Sequence, residues 1–366
     1  MKKNILFFVA AAGMLTLASC SQDTTEMADN GNVIKFRPSI NAMTRGYIVS
    51  NSSLDRFNVS AFIDGHSANY FTNWQMIKSG NKWTSSDKHY WPPTQTLKFF
   101  AYAPVSIYST VSITPSEQTI KGFTMNPLCS SQADLIVAYN SSTKAANENS
   151  GVALTFSHAL TMIDVYLKNA DFDEYQIDCR GIKLAGFKSK ADFTFPTTNM
   201  PGLISPLCWK NVTTESNCYD DYNQGKTVSS SFTSFVGSYF MVIPQQLTAW
   251  NKTTSKSGAY IAMLVRICKK EANGTLVQLF PKIQDKYAYV AVPIDTQLMP
   301  GKFYKYYLTF LEKGAGNIAP DPTNPYKPDV IDPNPGPGGE EVLGGPIKVS
   351  VSVEKFEDAI EISKNL

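Results

Sequence analysis

What most restricts the fold of this chain is a series of short segments rich in Val, Ile, Phe, Tyr and Thr that alternate with clusters of Gly, Asn, Ser and Pro. In the first half these segments include Phe57 to Phe62, Leu97 to Tyr102, Leu135 to Tyr139, Val152 to Phe156 and Met162 to Leu167. In the second half they include Ile182 to Phe187, Phe232 to Ile243, Tyr260 to Ile267, Tyr287 to Val292 and Phe303 to Phe310. Short β-branched and aromatic runs bounded by turn-forming clusters predict strands. Long windows with helical spacing are not evident, and 18 Tyr with 21 Phe suit strands better than helices. The expected fold class is all-β, with the strands packed as sandwiches. A length of 366 residues accommodates two ordinary domains. The polar stretch Asn169 to Asp178 marks the expected boundary, between domains at 46–172 and 173–314.

The N-terminus reads as an export address. Lys2 and Lys3 precede the apolar stretch Ile5 to Ala18, which ends in Leu17-Ala18-Ser19-Cys20. A permanent membrane span needs about 20 apolar residues, so this shorter run predicts a signal peptide over residues 1–19. Small residues before a cysteine match a bacterial lipobox, which makes Cys20 the expected site of lipidation. Each buried acyl methylene contributes about 0.8 kcal/mol, so several chains would hold the protein on the outer membrane. The two lysines also account for the formal net charge of +2, leaving no cationic excess to bind nucleic acid.

Beyond Phe310 the composition changes. Residues 319–345 hold seven prolines and are expected to form a polyproline-like spacer, within a linker at 315–345, rather than ladder or helix. At ~3.1 Å per residue the spacer would extend roughly 80 Å. In the tail at 346–366, Ile347, Val349, Val351 and Val353 are apolar at alternate positions. The same face pattern occurs near the start in Ile34, Phe36 and Ile40, with Pro38 between them. Both segments open Ile-Lys, and both carry Ser at the sixth place, Ser39 and Ser352. Two strands with one face pattern fit the same slot in a sheet; the alternative is that each pairs at a separate place in its own chain. Arg45-Gly46 follows the first strand, so a trypsin-like cut there would remove it and leave an open edge to which the second strand can add. Burying the four apolar residues of the tail would contribute roughly 6–12 kcal/mol, opposed by the entropy of ordering it.

Catalytic chemistry finds little support. His66, His89 and His158 are the three histidines, and His158 is expected to be a hydrogen-bonded structural residue. His-x-x-x-His, Cys-x-x-Cys and Gly-x-Ser-x-Gly are missing, so no metal site, no cofactor and no enzymatic activity are predicted. Asp220-Asp221 is expected in a solvated loop, because adjacent carboxylates on a strand point to opposite faces. With Cys20 lipidated, Cys129, Cys179, Cys208, Cys218 and Cys268 remain. Cys208 and Cys218 form the candidate disulfide, and buried thiols are expected for the others.

Several motifs, taken in order, resemble the fimbrillin family of Bacteroidales, the subunits of type V pili. They are the lipobox at Cys20, the strand before Thr44-Arg45-Gly46, His89-Tyr90-Trp91-Pro92, Leu97 to Pro104, Asp134 to Ala138, Leu154 to Leu160 and the strand Met162 to Leu167. The resemblance implies two tandem transthyretin-like β-sandwich domains and export as an acylated precursor. It also implies cleavage by an arginine-specific protease between Arg45 and Gly46, followed by donor-strand polymerisation with other fimbrial subunits. Ile34, Phe36 and Ile40 then belong to the strand displaced with residues 20–45, and Ile347, Val349, Val351 and Val353 to the donor. The final location implied is a cell-surface fimbrium. The alternative function is a surface glycan-binding lipoprotein, whose Trp74, Trp83, Trp91, Trp209 and Trp250 would include a binding platform.

Overall fold

The structure, a computed structural model, describes residues 32–40, 53–107, 109–198, 204–214, 216–220, 225–253, 257–327 and 338–355. Cys20, Arg45 and Gly46 lie outside the described residues. The first half carries β1 (Phe36–Ile40), β2 (Arg56–Ile63), β3 (Asn69–Ser79), β4 (Lys82–Thr84), β5 (Leu97–Ala103), β6 (Thr110–Thr114), β7 (Glu117–Thr124), β8 (Ile136–Ser142) and β9 (Val152–His158). The second begins with β10 (Thr161–Asn169), β11 (Tyr175–Ala185), β12 (Lys190–Thr194), β13 (Trp209–Thr213), β14 (Cys218–Tyr219), β15 (Lys226–Thr227) and β16 (Thr233–Ser234). It continues with β17 (Phe240–Val242), β18 (Tyr260–Lys270), β19 (Leu276–Phe280), β20 (Ala288–Pro293), β21 (Lys302–Phe310), β22 (Asn317–Ile318) and β23 (Lys348–Lys355). The protein is nearly all β, as the alternation predicts.

The first sheet runs β1-β9-β8-β5-β2-β3-β4. It curls until its edge strand β1 reaches β3: Phe36 of β1 stands 5.6 Å from Trp74 of β3, centroid to centroid. The curl encloses a core of Phe57, Val59, Phe99, Leu154 and Phe156 with their neighbours. A second sheet, β16-β10-β21-β23 with β17 also on β10, packs against a third, β14-β11-β18-β20-β22. Between them lie Ile163, Val165, Leu184, Ile261, Met263, Tyr306 and Leu308.

A fourth sheet, β13-β12-β7-β6, takes two strands from each half of the chain. Its Ile120, Phe123, Phe193 and Trp209 cover Phe100, Tyr102 and Val137 on the outer face of the first sheet. The sheets divide at a different point from the expected boundary at 172/173. Strand β10 pairs in parallel with β21 along Met162 to Asn169, so it belongs with the second half, and the sheets divide between β9 and β10. A local polarity minimum does not report on such a pairing, because the partner lies far along the chain.

The proline-rich segment also departs from expectation. Residues 319–327 strap the outer face of the third sheet, where Lys183, fully buried, donates to the Asp321 and Thr323 carbonyls at 2.8 and 3.1 Å. Asn324 Nδ2 donates to the Tyr289 hydroxyl at 2.6 Å, and Lys327 Nζ to the Arg180 carbonyl at 2.9 Å. Residues 338–345 return as ladder: Val342 N donates to Gly316 O and Ala315 N to Val342 O, both at 2.9 Å. Gly314 is required here, since a Cβ on it would stand 2.1 Å from the Gly345 carbonyl oxygen. Prolines forbid ladder at their own positions only. The flanking Asn, Thr, Glu and Val supply the bonds, and the segment is anchored at both ends rather than extended.

Candidate functional site: the terminal strands

Strand β1 lies at the edge of the first sheet and pairs in parallel with β9, Phe36 opposite Val152 and Ile40 opposite Phe156. Just before it, Ile34 N donates to His89 O at 2.9 Å and Trp91 N to Asn32 O at 2.7 Å, so residues 32–40 bridge β9 and the connection between β4 and β5. Ile34, Phe36 and Ile40 are all buried in the first core, while Lys35, Arg37 and Ser39 face outward. The Phe36 ring meets Phe57, Trp74 and Phe99 at 5.6–6.1 Å in edge-to-face contacts. Edge placement explains Pro38, whose missing N–H is tolerated only where a ladder bond is not demanded. Gly151 at φ +76° admits the strand, since a Cβ there would stand 3.1 Å from the Lys35 carbonyl oxygen.

Strand β23 occupies the opposite situation. It pairs antiparallel with β21, Val349 opposite Leu308, Val351 opposite Tyr306 and Val353 opposite Tyr304. The partners on β21 are core residues. Ile347 is buried with them, but Val349, Val351 and Val353 are 37%, 42% and 52% exposed. The row continues the apolar face of the second sheet past the cover that the third sheet provides. Its other edge has no strand beside it among the described residues. The two strands with one face pattern thus sit in separate places, one buried and one exposed.

Charge holds β23 in register. Lys305 of β21, buried, pairs with Glu354 at 2.8 Å, and Lys348 pairs with Glu312 at 2.7 Å on the surface. On the other side of Lys305 stands Asp164 of β10. Burial pushes the Asp164 carboxyl up to about 6, against hydrogen bonds from Ser234 and the Val165 amide. These groups escape sequence reading because Lys305 interrupts an apolar run and looks solvated until β23 covers it.

Other expectations are corrected. Cys208 and Cys218 carry free thiols: Cys218 is buried in the core between the second and third sheets, with Gln132 Nε2 at 3.6 Å, while Cys208 lies at the margin of a different core. Trp74, Trp91, Trp209 and Trp250 are buried and Trp83 packs on the first core, so they form no binding platform. Asp220 is buried rather than solvated and accepts the Ile182 amide. Asp221 lies outside the described residues. His158 is structural as expected, its Nδ1 2.6 Å from Asp134 Oδ2, both buried. Arg180 lies inside β11 and stacks on Tyr287 at 4.6 Å. No cluster of metal-ligating side chains occurs among the described residues.

The profile of the fimbrillin-like family matches residues 44–321. The chain belongs to the fimbrillin-like family. Both terminal strands of this fimbrillin-like chain fall outside the matched residues. Its fold is similar to that of a fimbrial protein from Bacteroides vulgatus, at 17% identity and a TM-score of 0.57, covering 89% of this chain and 99% of that one. The fimbrial anchor protein Mfa2 from Porphyromonas gingivalis is a more distant likeness, at 11% identity and a TM-score of 0.34, covering 76% of this chain and 90% of that one. No curated protein matches the sequence.

Proposed function

We propose that this chain is a structural fimbrial subunit that polymerises by strand exchange. It is exported as a precursor acylated on Cys20, held at the outer membrane and cut between Arg45 and Gly46 by an arginine-specific protease. The tail strand of one subunit then enters the slot of the next, in a cell-surface fimbrium that serves adhesion. The observation that carries this reading is the contrast between the strands: β1 fills an apolar slot from an edge position, while β23 keeps a matching apolar row in solvent. Aligned on their Ile-Lys starts, Val349 takes the place of Phe36 and Val353 that of Ile40.

Cleavage matters for a thermodynamic reason. A strand on a short tether meets its slot at an effective concentration in the millimolar range, which no free donor matches. Cutting the tether makes β1 an ordinary ligand that dilutes away. The test is treatment of the purified precursor with an arginine-specific protease, read by N-terminal sequencing and by polymer length. Cleaved chains should begin at Gly46 and assemble, Arg45→Ala should block both steps, and deletion of residues 346–366 should leave cleaved monomers. Normal polymerisation of the Arg45→Ala chain would sink the proposal.

A further inference from the structure

A cleft of about 740 Å³ opens between the strap and the loop that leads into β14. Pro127, Asn217, Tyr219, Asp321, Pro325 and Tyr326 line it with their neighbours. It lies apart from both terminal strands, and nothing in the assembly proposed above uses it. Its volume falls within the few hundred to one thousand Å³ typical of small-ligand sites. The rings of Tyr219 and Tyr326 meet edge to face at 5.4 Å and form an apolar wall. Tyr326 is 43% exposed, so its ring is available to a ligand.

The polar groups are fixed from behind. Asp321 Oδ1 accepts from the Thr323 amide at 3.1 Å and the Thr323 hydroxyl at 2.6 Å, and Oδ2 accepts from Lys183 at 3.2 Å. A carboxylate accepts about four hydrogen bonds, so one lone-pair direction is left, on a side chain that is 42% exposed. Asn324, held by Tyr289, accepts the Tyr326 amide at 2.9 Å and sets the turn that presents the ring. The Tyr219 amide is fixed by the Pro127 carbonyl at 2.7 Å.

We infer that this cleft binds a pyranose unit of a glycan, with the apolar face of the sugar on Tyr326 and a hydroxyl donating to Asp321. The lining selects that chemistry. Among the described lining residues there is no basic side chain, and the ammonium of Lys183 behind Asp321 already gives its three donors to the Asp321 carbonyl, the Asp321 carboxylate and the Thr323 carbonyl, which disfavours phosphate, sulfate and acidic sugars. A polyproline segment would also suit tyrosine and proline walls. Such a segment, however, offers carbonyl acceptors without N–H donors at its prolines, and an ionised carboxylate repels them. Burial works against ionisation of Asp321, but the Thr323 hydrogen bonds and the Lys183 charge outweigh it and hold the carboxyl below its usual range. A neutral sugar presents both the donor and the apolar face.

The test is saturation-transfer NMR on the full chain with four probes: methyl α-mannopyranoside, methyl β-galactopyranoside, N-acetylglucosamine and fucose. At least one should receive transfer, strongest on the ring protons of one face. Tyr326→Phe should retain it and Tyr326→Ala should weaken binding at least tenfold. Because Tyr326 is 43% exposed and lies outside the hydrophobic cores, circular dichroism and melting of both variants should stay close to the parent. No transfer to any probe, or transfer that persists in Tyr326→Ala, overturns the inference. Binding of a synthetic peptide of residues 328–337 at the cleft, with the sugars silent, overturns it equally.

Discussion

Phe36 contributes more to the first core than any other side chain of residues 32–40, because its ring touches three aromatic neighbours at once. Phe36→Ala should destabilise the precursor by about 3–5 kcal/mol in urea titration, whereas outward-facing Ser39→Ala should change it by less than about 0.5 kcal/mol. Asp164 gives a pH signature. Its carboxyl is raised to about 6 in the fold, above the ordinary carboxylate value it has when unfolded. The native state therefore binds more protons between pH ~4 and ~6, and this group's contribution to stability is present at low pH and lost as pH rises through 6. Asp164→Asn should flatten that segment of the stability curve and raise stability at pH 7 by about 2–3 kcal/mol, measured by denaturation at pH 4 to 7.5. The sequence shows Asp164 within the mostly apolar segment Met162 to Leu167, but not that Ser234 and Lys305 surround it. Cys218 and Asp220 mislead for the same reason: a polar neighbourhood in sequence becomes an interior one once Gln132 and Ile182 arrive from elsewhere.

Strands that form continuous apolar runs are legible in the sequence; those whose buried and exposed residues are mixed are not. Leu97–Ala103 and Tyr260–Lys270 match their apolar runs closely. Strand β3 was missed because a bulge near Asn73, at φ 50°, shifts its buried residues from Phe71 to Trp74 and Met76. Strands β6, β7, β12 and β13 are short or half-exposed, and only their mutual pairing makes them a sheet. The two terminal strands were legible as strands, and their likeness as a face pattern. That one is buried and the other exposed depends on which sheet runs out of cover first, a property of the fold rather than of either segment. In the exchange proposed above β23 must leave β21. Tyr307 and Ser350 are register partners, so cysteines at both positions, Tyr307→Cys with Ser350→Cys, should on oxidation lock β23 in place. Locked, protease-treated chains should fail to extend and should recover on reduction, as read on non-reducing gels; extension of the locked form would count against release of the tail.

At the scale of the molecule, the fourth sheet joins the halves. Strands β7 and β12 form its central pair, and Phe193 and Trp209 from the second half cover the first sheet. Neither half is complete alone: a fragment of residues 46–172 would carry β10 without β21 and β7 without β12. That fragment should remain unfolded or aggregate, and the whole chain should melt in one calorimetric transition. The strap and its returning ladder acquire a mechanical meaning once subunits are joined end to end. Tension would enter a subunit at the slot beside β9 and leave through the chain that follows Gly345. Unanchored, residues 315–345 would pay out as slack of roughly 100 Å at ~3.3 Å per residue. Lys183, Lys327 and the bonds between residues 315–318 and 338–345 remove that slack and load the second sandwich directly. In a filament assembled as proposed, the bonded stretches 319–327 and 338–345 would pass the pull to the second sandwich and make the subunit stiff under tension.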